Sequence, residues 1–331
     1  MGWRTPLLTR GYASLRLSPT QRGAVVLAAV TDRSELVKRL QRREAWRRRI
    51  PLLPALIFTI IVTQVPFGFS LWYSLTDWVF TSTEPRNFVG LENFTSLWSD
   101  IFFRRAAWTS ILMTVSAVLL SIVIGTGLAL LLDRKFFGQG FVRTLLITPF
   151  LIMPVVAGLL WSNQMFNATF GVINWFIDLI GFERVEFVSR FPLWSIVTVL
   201  VWQWSPFMML IVLAGLQGQD NSVLEAARVD GATSRGIFTQ ITLPHLRPYL
   251  DLSILLGAIY LIQVFDHIEV MTGGGPGSTN VPHFIFQRSI GGGWRFGQAS
   301  AFSIVVVIAS ILLATLGLRV LSGLLEDEDG V

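Results

Sequence analysis

Ala107-Trp-Thr-Ser-Ile-Leu-Met-Thr-Val-Ser-Ala-Val-Leu-Leu-Ser-Ile-Val-Ile-Gly-Thr-Gly-Leu-Ala-Leu-Leu-Leu132 runs without a single charged side chain. At 1.5 Å of rise per residue, about 20 apolar residues in a helix cross the ~30 Å hydrocarbon core of a bilayer. A helix also satisfies its own backbone groups where no water is available. Five more stretches have spanning length: 52–75, 143–165, 193–216, 248–270 and 300–323. Pro54, Pro66, Pro149, Pro154 and Pro206 fall within or at the ends of these runs. Lipid-embedded helices tolerate proline because neighbours satisfy the freed carbonyls. The expected fold is an all-α membrane protein with six transmembrane helices.

Composition agrees. Apolar residues make up 52% of the chain, charged residues 14%, and the mean hydropathy is +0.59. A soluble domain carries about 25% charge to coat its surface. The absence of cysteine excludes disulfides, thiolate metal sites and cysteine nucleophiles. His245, His267 and His283 are scattered and lack metal-ligand spacing. No Ser/His/Asp arrangement or paired carboxylate site stands out, so no catalytic residue and no metal site is expected.

The sequence pI near 10.2 would suggest a nucleic-acid partner in a soluble protein. Here the basic excess sits mainly in residues 1–50, beside the first apolar run, so no nucleic acid is expected. Arg42, Arg43, Arg47, Arg48 and Arg49 place the N-terminus in the cytoplasm by the positive-inside rule, and six crossings return the C-terminus there. The short loops do not decide it: Arg134, Lys135 and Arg143 lie in a predicted inner loop, Arg104 and Arg105 in an outer one. Gly23–Val30 is too short to span and no small-residue cleavage pattern follows it, so no signal peptide is expected. Ser34–Arg49 reads either as a basic helix on the membrane surface or as a disordered tail. Three parts result: a basic cytoplasmic tail (1–50), a six-helix membrane domain (51–325) and a short acidic end (326–331). Segments 76–106, 166–192 and 271–299 then face outside, and the last carries Thr272–Gly277 and Gly291–Gly293, which favour loops.

The cytoplasmic segment 217–247 reads as helix–turn–helix. Ser222 and Glu225 have capping-box spacing, Glu225-Ala226-Ala227 favour helix, and Gly231 can end it after Asp230. Thr233 or Ser234 can cap a second short helix, expected to stop near Leu243-Pro244. From propensity alone this could be an ordinary connector.

Glu225-Ala226-Ala227, then Gly231, then Ile241-Thr242-Leu243-Pro244 before the penultimate run resembles the EAA loop of binding-protein-dependent ABC importer permeases. The likeness covers most of residues 50–325 and is to the carbohydrate branch: maltose, polyol and glycerol-phosphate permeases. Trp202–Met208, Phe265-Asp266, Thr272–Gly277 and Gly297–Ala301 carry it further. The chain departs from the larger maltose-type subunits by lacking their extra N-terminal spans and large external domain. The resemblance implies a type I ABC importer permease fold in a bacterial inner membrane. It also implies a second related permease, two ATP-binding-cassette ATPase subunits and an external solute-binding protein as partners. Glu225, Ala226, Ala227, Asp230, Gly231, Leu243 and Pro244 would form a coupling helix and its turns, seated in the ATPase. ATP and Mg would be used by those partners. This chain has only Lys38 and Lys135, neither in a phosphate-binding loop, so it is expected to bind no cofactor and to be no enzyme itself.

Sugars present apolar faces and hydroxyl edges, which suits aromatics mixed with amides and carboxylates. By likeness to the maltose-type subunit, Leu200, Gln203, Trp204 and Phe207 would line the solute path. Tyr260, Gln263 and Asp266 are candidates in the fifth run. The same aromatics could simply pack between helices, and Asp266 could pair with a partner's arginine. A secondary transporter is the main alternative class, though it normally shows more spans and an internal repeat.

Overall fold

A computed structural model describes residues 50–326, with the side chains of 313, 316–318 and 320–326 left aside. The basic tail, including Ser34–Arg49, and the acidic side chains that end the sequence lie outside the described residues. The chain divides at Gly68 into two compact units. The first holds the turn Ile50–Leu52 and most of helix α1 (Leu53–Ser74), whose threonines Thr59 and Thr63 bond back to carbonyls one turn earlier.

The second unit contains α2 (Glu92–Ser99), α3 (Ile101–Leu132), α4 (Gln139–Leu151), α5 (Pro154–Leu160), α6 (Val172–Leu179) and α7 (Pro192–Gln217). It continues with α8 (Asn221–Val229), α9 (Ser234–Ile237), α10 (Leu243–Leu261), α11 (Asp266–Thr272), α12 (Val281–Ser289) and α13 (Phe296–Glu326). Among the described residues the β content is one isolated bridge, Thr76 to Phe88.

The centre of this unit is α7 against α3. Asp100 starts α3 by accepting from the amides of Phe102 (2.8 Å) and Phe103 (3.2 Å). Ala117, Ser121, Gly125 and Ala129 recur every fourth residue on α3 and are all buried. Small residues at that spacing let two membrane helices approach closely. A Cβ at Gly125 would sit 2.9 Å from both the Met209 nitrogen and the Ser205 oxygen of α7.

The apolar runs are helical, but not all as single rods. Three helical stretches, Ile50–Ser74, α3 and α7, have the length and apolarity to cross a membrane unbroken. The run 143–165 is instead two helices, α4 and α5, bent by 98°, with a π turn Trp161–Met165 extending α5. Ile152 and Met153 both leave the helical region (ψ 136° and 137°); Met153 is driven out because it precedes proline, and Pro154 has no N–H to continue the ladder. The run 248–270 is bent by 55° between the helix ending at Leu261 and α11. Counting each bent pair as one span gives up to five among the described residues; the last run lies in α13, whose described apolar part is residues 296–312.

One boundary departs from expectation. The second short helix does not stop at Leu243-Pro244. A π turn, Phe238–Thr242, carries it into α10, so that Ser234–Leu261 is continuous. Widening the helix by one residue accommodates the missing N–H of Pro244.

Gly125→Val is expected to destabilise the chain by about 1–3 kcal/mol through overpacking. It should lower the thermal midpoint of the detergent-solubilised protein. Gly127→Val, where a Cβ meets nothing within 4 Å, carries the same propensity change and should leave the midpoint near wild type.

Candidate functional site: an aromatic wall and a projecting helix

Two groups of sequence-predicted residues are positioned by α7, one at its middle and one beyond its C-terminal end. The first group is set by the break in the third run. Bending the chain at Ile152 releases its carbonyl, and Gln203 of α7 meets it: Nε2 donates to Ile152 O at 2.7 Å. The carbonyl can only accept, so the amide orientation is fixed. Gln203 Oε1 therefore faces His267 Nε2 at 2.8 Å, and that ring nitrogen carries the proton. Both side chains are buried. Gln203 thus joins α7 to the α4–α5 break and to the start of α11. Leu200, one turn earlier, is fully buried in the core.

The neighbouring positions on α7 point elsewhere. Trp204 and Phe207 are half-buried and meet Phe150, the penultimate residue of α4, with centroids 5.6 and 5.1 Å away. Trp204 also lies 5.6 Å from Phe207 and 5.5 Å from Tyr260 of α10. Phe150, Trp204, Phe207 and Tyr260 form one aromatic wall with Tyr260 at its exposed edge. Gln263 and Asp266 are exposed just beyond it. The Gln263 amide donates to Ile259 O at 3.0 Å, and Asp266 makes no ion pair among the described residues. Such a wall can stack against an apolar ring face.

Phe150 and His267 were not among the residues singled out from sequence. Phe150 is one of 25 phenylalanines, and what distinguishes it is the packing of α4 along α7, which no local pattern discloses. His267 was set aside for lack of metal-ligand spacing. The available signal was its place two residues after Phe265-Asp266 at the second break, where a buried ring needs a polar partner.

The second group lies where α7 ends. Here Asp220, not Ser222, caps α8: its carboxylate accepts from the Ser222 amide at 2.8 Å. That bond holds the Asp220 carboxyl below its ordinary pKa. The acidic residue two positions ahead of Ser222 meets the free amides first. The end of α8 is closed by Gly231 at φ +83°, with Gly231 N–H on Arg228 O (3.1 Å) and Ala232 N–H on Ala227 O (2.9 Å). This double bond pattern is the glycine-dependent helix stop read from the sequence. Thr233 caps α9 through the Gly236 amide at 3.2 Å.

No residue of α8 is buried. Glu225, Ala226 and Asp230 are exposed, Ala227 is partly covered, and Val229 is 87% exposed. Glu225 forms no ion pair among the described residues. Leu243 and Pro244 are also exposed, at the start of α10. The base of this projection is firmly held: Tyr249 of α10 lies against Gly215 of α7, where a Cβ would come within 2.6 Å, and His245 Nε2 bonds Gly215 O at 3.1 Å.

Comparison with known proteins agrees with this arrangement. Residues 137–325 match the family described as binding-protein-dependent transport system inner membrane component. A probable ABC transporter permease protein, y4oQ of Sinorhizobium fredii, is 34% identical over 79% of this chain and 88% of its own length. The trehalose/maltose transport system permease protein MalF of Thermococcus litoralis is 32% identical over 86% of this chain and 97% of its own. A chain from the crystal structure of a bacterial alginate-importing ABC transporter superposes with a TM-score of 0.72 at 22% identity, covering 87% of this chain and 98% of that one. The fold is therefore that of an ABC importer permease, a multi-pass helical membrane protein. The chain belongs to the binding-protein-dependent transport system inner membrane component family, and its part in transport is that of a permease rather than an enzyme.

Gln203→Leu strands the Ile152 carbonyl and the His267 ring, at a cost of about 1–3 kcal/mol for each unsatisfied group. A clearly lowered thermal midpoint is expected, whereas Tyr260→Phe at the exposed edge should leave it near wild type. A wild-type midpoint for Gln203→Leu would mean that the pin carries no weight.

Proposed function

We propose that this chain forms, with a second related permease, the alternating-access path of an ATP-driven importer for a sugar, polyol or related solute. The aromatic wall of Phe150, Trp204, Phe207 and Tyr260 carries this reading. It offers flat apolar faces, with the exposed Gln263 bonded through its backbone to Tyr260 O and the exposed Asp266 three residues further on, the mixture that a ring bearing hydroxyls needs. The likeness to a permease named for trehalose/maltose transport supports a carbohydrate-type solute. An external binding protein would deliver the solute, with both chain termini in the cytoplasm. Gln203 acts here by positioning: its two polar ends are occupied by Ile152 and His267, so it holds the wall's frame.

In this reading α8 is the contact with one of two ATPase subunits, which use ATP and Mg. Glu225, Ala226, Ala227, Asp230 and the turn at Gly231 present the surface, and Leu243 and Pro244 lie where the segment re-enters α10. Val229 is exposed and Glu225 has no ion pair among the described residues, which suits a cleft that is both apolar and basic. Movement of α8 passes to α7 directly and to α10 through the Gly215–Tyr249 contact.

Trp204→Ala is expected to reduce uptake of the cognate solute at limiting concentration while leaving copurification with the partner subunits intact. Normal uptake would remove the wall from the path.

Glu225→Arg should weaken ATPase retention at least tenfold, since breaking a partly enclosed charge pair costs about 2–5 kcal/mol. A charge-reversed basic residue in the ATPase cleft should restore it. Gly231→Val should uncouple hydrolysis from uptake by a different route, because φ +83° is strained for a β-branched side chain although the space is open. Copurification and uptake are the readouts; normal values for both variants would return α8 to a plain connector.

A further inference from the structure

Segment 166–192 reads from sequence as an outside-facing connector between two spans, and helix α6 within it is apolar on two opposite sides. Its inner side is fastened to the membrane-crossing layer. Ile173 packs on the core around α7. Asn174 is buried, and its Nδ2 donates to the carbonyls of Asn167 (3.0 Å), Val185 (3.0 Å) and Phe166 (3.4 Å), while its Oδ1 accepts from the Val185 amide (2.8 Å). Phe166 directly follows the π turn Trp161–Met165 that ends the bent pair α4–α5. Asn174 thus ties α6 to Val185, and Ser195, in the first turn of the unbroken span α7, donates to Phe187 O at 2.9 Å, so α6 is held beside the start of that span.

The outward side carries Val172, Trp175, Phe176 and Leu179, at i, i+3, i+4 and i+7, the spacing of one helical face. Trp175, Phe176, Leu179, Ile180 and Phe182 are each 56–69% exposed. The charges stand at the edge: Arg184 pairs with Asp178 at 3.0 Å and donates to Thr169 O at 2.8 Å. A soluble surface rarely leaves a continuous patch of this kind uncovered.

We propose that α6 is an interfacial helix whose partner is the lipid bilayer, with Val172, Trp175, Phe176 and Leu179 seated at the headgroup–acyl boundary. Three observations select lipid. The bonds of Asn174 and Ser195 hold the helix beside the start of α7, an unbroken span, where that boundary lies. Tryptophan is enriched at that depth, and amphipathic helices there bury one apolar face by about 5–10 Å. Contacts between membrane helices favour small residues, as on the Ala117–Ala129 face of α3, whereas the outward face of α6 has only large ones. The inference needs neither the solute nor the orientation of the chain.

The natural chain is free of cysteine, so single labels are direct. Phe176→Cys and Leu179→Cys, each carrying an environment-sensitive fluorophore, are placed in the assembled transporter in vesicles. Leu120→Cys in mid-α3 serves as the lipid reference and Arg235→Cys in α9 as the aqueous one. Lipids brominated near the top of the acyl chain should quench the 176 and 179 labels at least twofold more than the 235 label. Iodide should quench them at least twofold less than it quenches 235. Iodide quenching equal to that at 235 overturns the proposal in favour of water, and protection from both quenchers overturns it in favour of a covering protein. A photoactivatable acyl-chain lipid, applied to the unmodified transporter, checks the same point where a variant fails to assemble. Label mapping to residues 170–182 is expected, and its absence there alongside label on α3 counts against lipid. Loss of uptake in any variant bears on the transport reading alone, because neither quenching nor lipid labelling depends on it.

Discussion

A carbonyl released from a helix inside lipid has no water to accept from, so a break in a membrane span persists only where another group donates to it. Two such carbonyls shape this chain. Ile152 O is met by Gln203, and Val264 O at the second break is met by the Asn280 amide. These bonds let the chain turn sharply at 152–153 and at 262–265 while remaining in the membrane layer. The turns in turn aim α5 and α11 at each other, where Gly158 lets them pack against Val270 and Met271. The aromatic wall stands beside the first of these turns, where Phe150, two residues before Ile152, meets Trp204 and Phe207.

The other shared element is α7. It carries the pin at Gln203, half of the aromatic wall at Trp204 and Phe207, and the base of α8 at Gly215. Its close seat against α3 at Gly125 makes it a stiff member, so a push at one end is felt along its length. The projecting helix is equally well defined at both of its ends, by the Asp220 cap and by the bonds around Gly231. Between firm ends, α8 offers a rigid surface rather than a pliable one.

Much of this was legible in the sequence because it is local. Long uncharged runs give helices in lipid, and Glu225-Ala226-Ala227 followed by Gly231 gives a helix with a left-handed stop. What the sequence did not disclose depends on distant partners. Gln203 and Trp204 are adjacent and both read as solute-lining, yet one turns into the core and the other onto an aromatic surface. Adjacent helix positions point about 100° apart, and the carbonyl that receives Gln203 lies 51 residues earlier. The break itself had a local sign, since Pro154 restrains Met153, but proline in lipid can be absorbed without a bend. The cap at Asp220 was missed because Ser222 and Glu225 offered the familiar spacing. The four-residue repeat of Ala117, Ser121, Gly125 and Ala129 was present to be read, and it marks the face of α3 that meets α7.

The bend at Ile152 also bears on how the protein is made. Helix α4 has 13 residues, about 20 Å of rise, which is shorter than the hydrocarbon core. The remainder of that run turns away at 98°, and the carbonyl at the corner is satisfied by a residue that the ribosome adds later. The third run therefore cannot reach its final shape as it emerges. The bond that closes the corner forms only once the fourth run has arrived with Gln203. The corner imposes an order on biogenesis that the finished protein no longer displays.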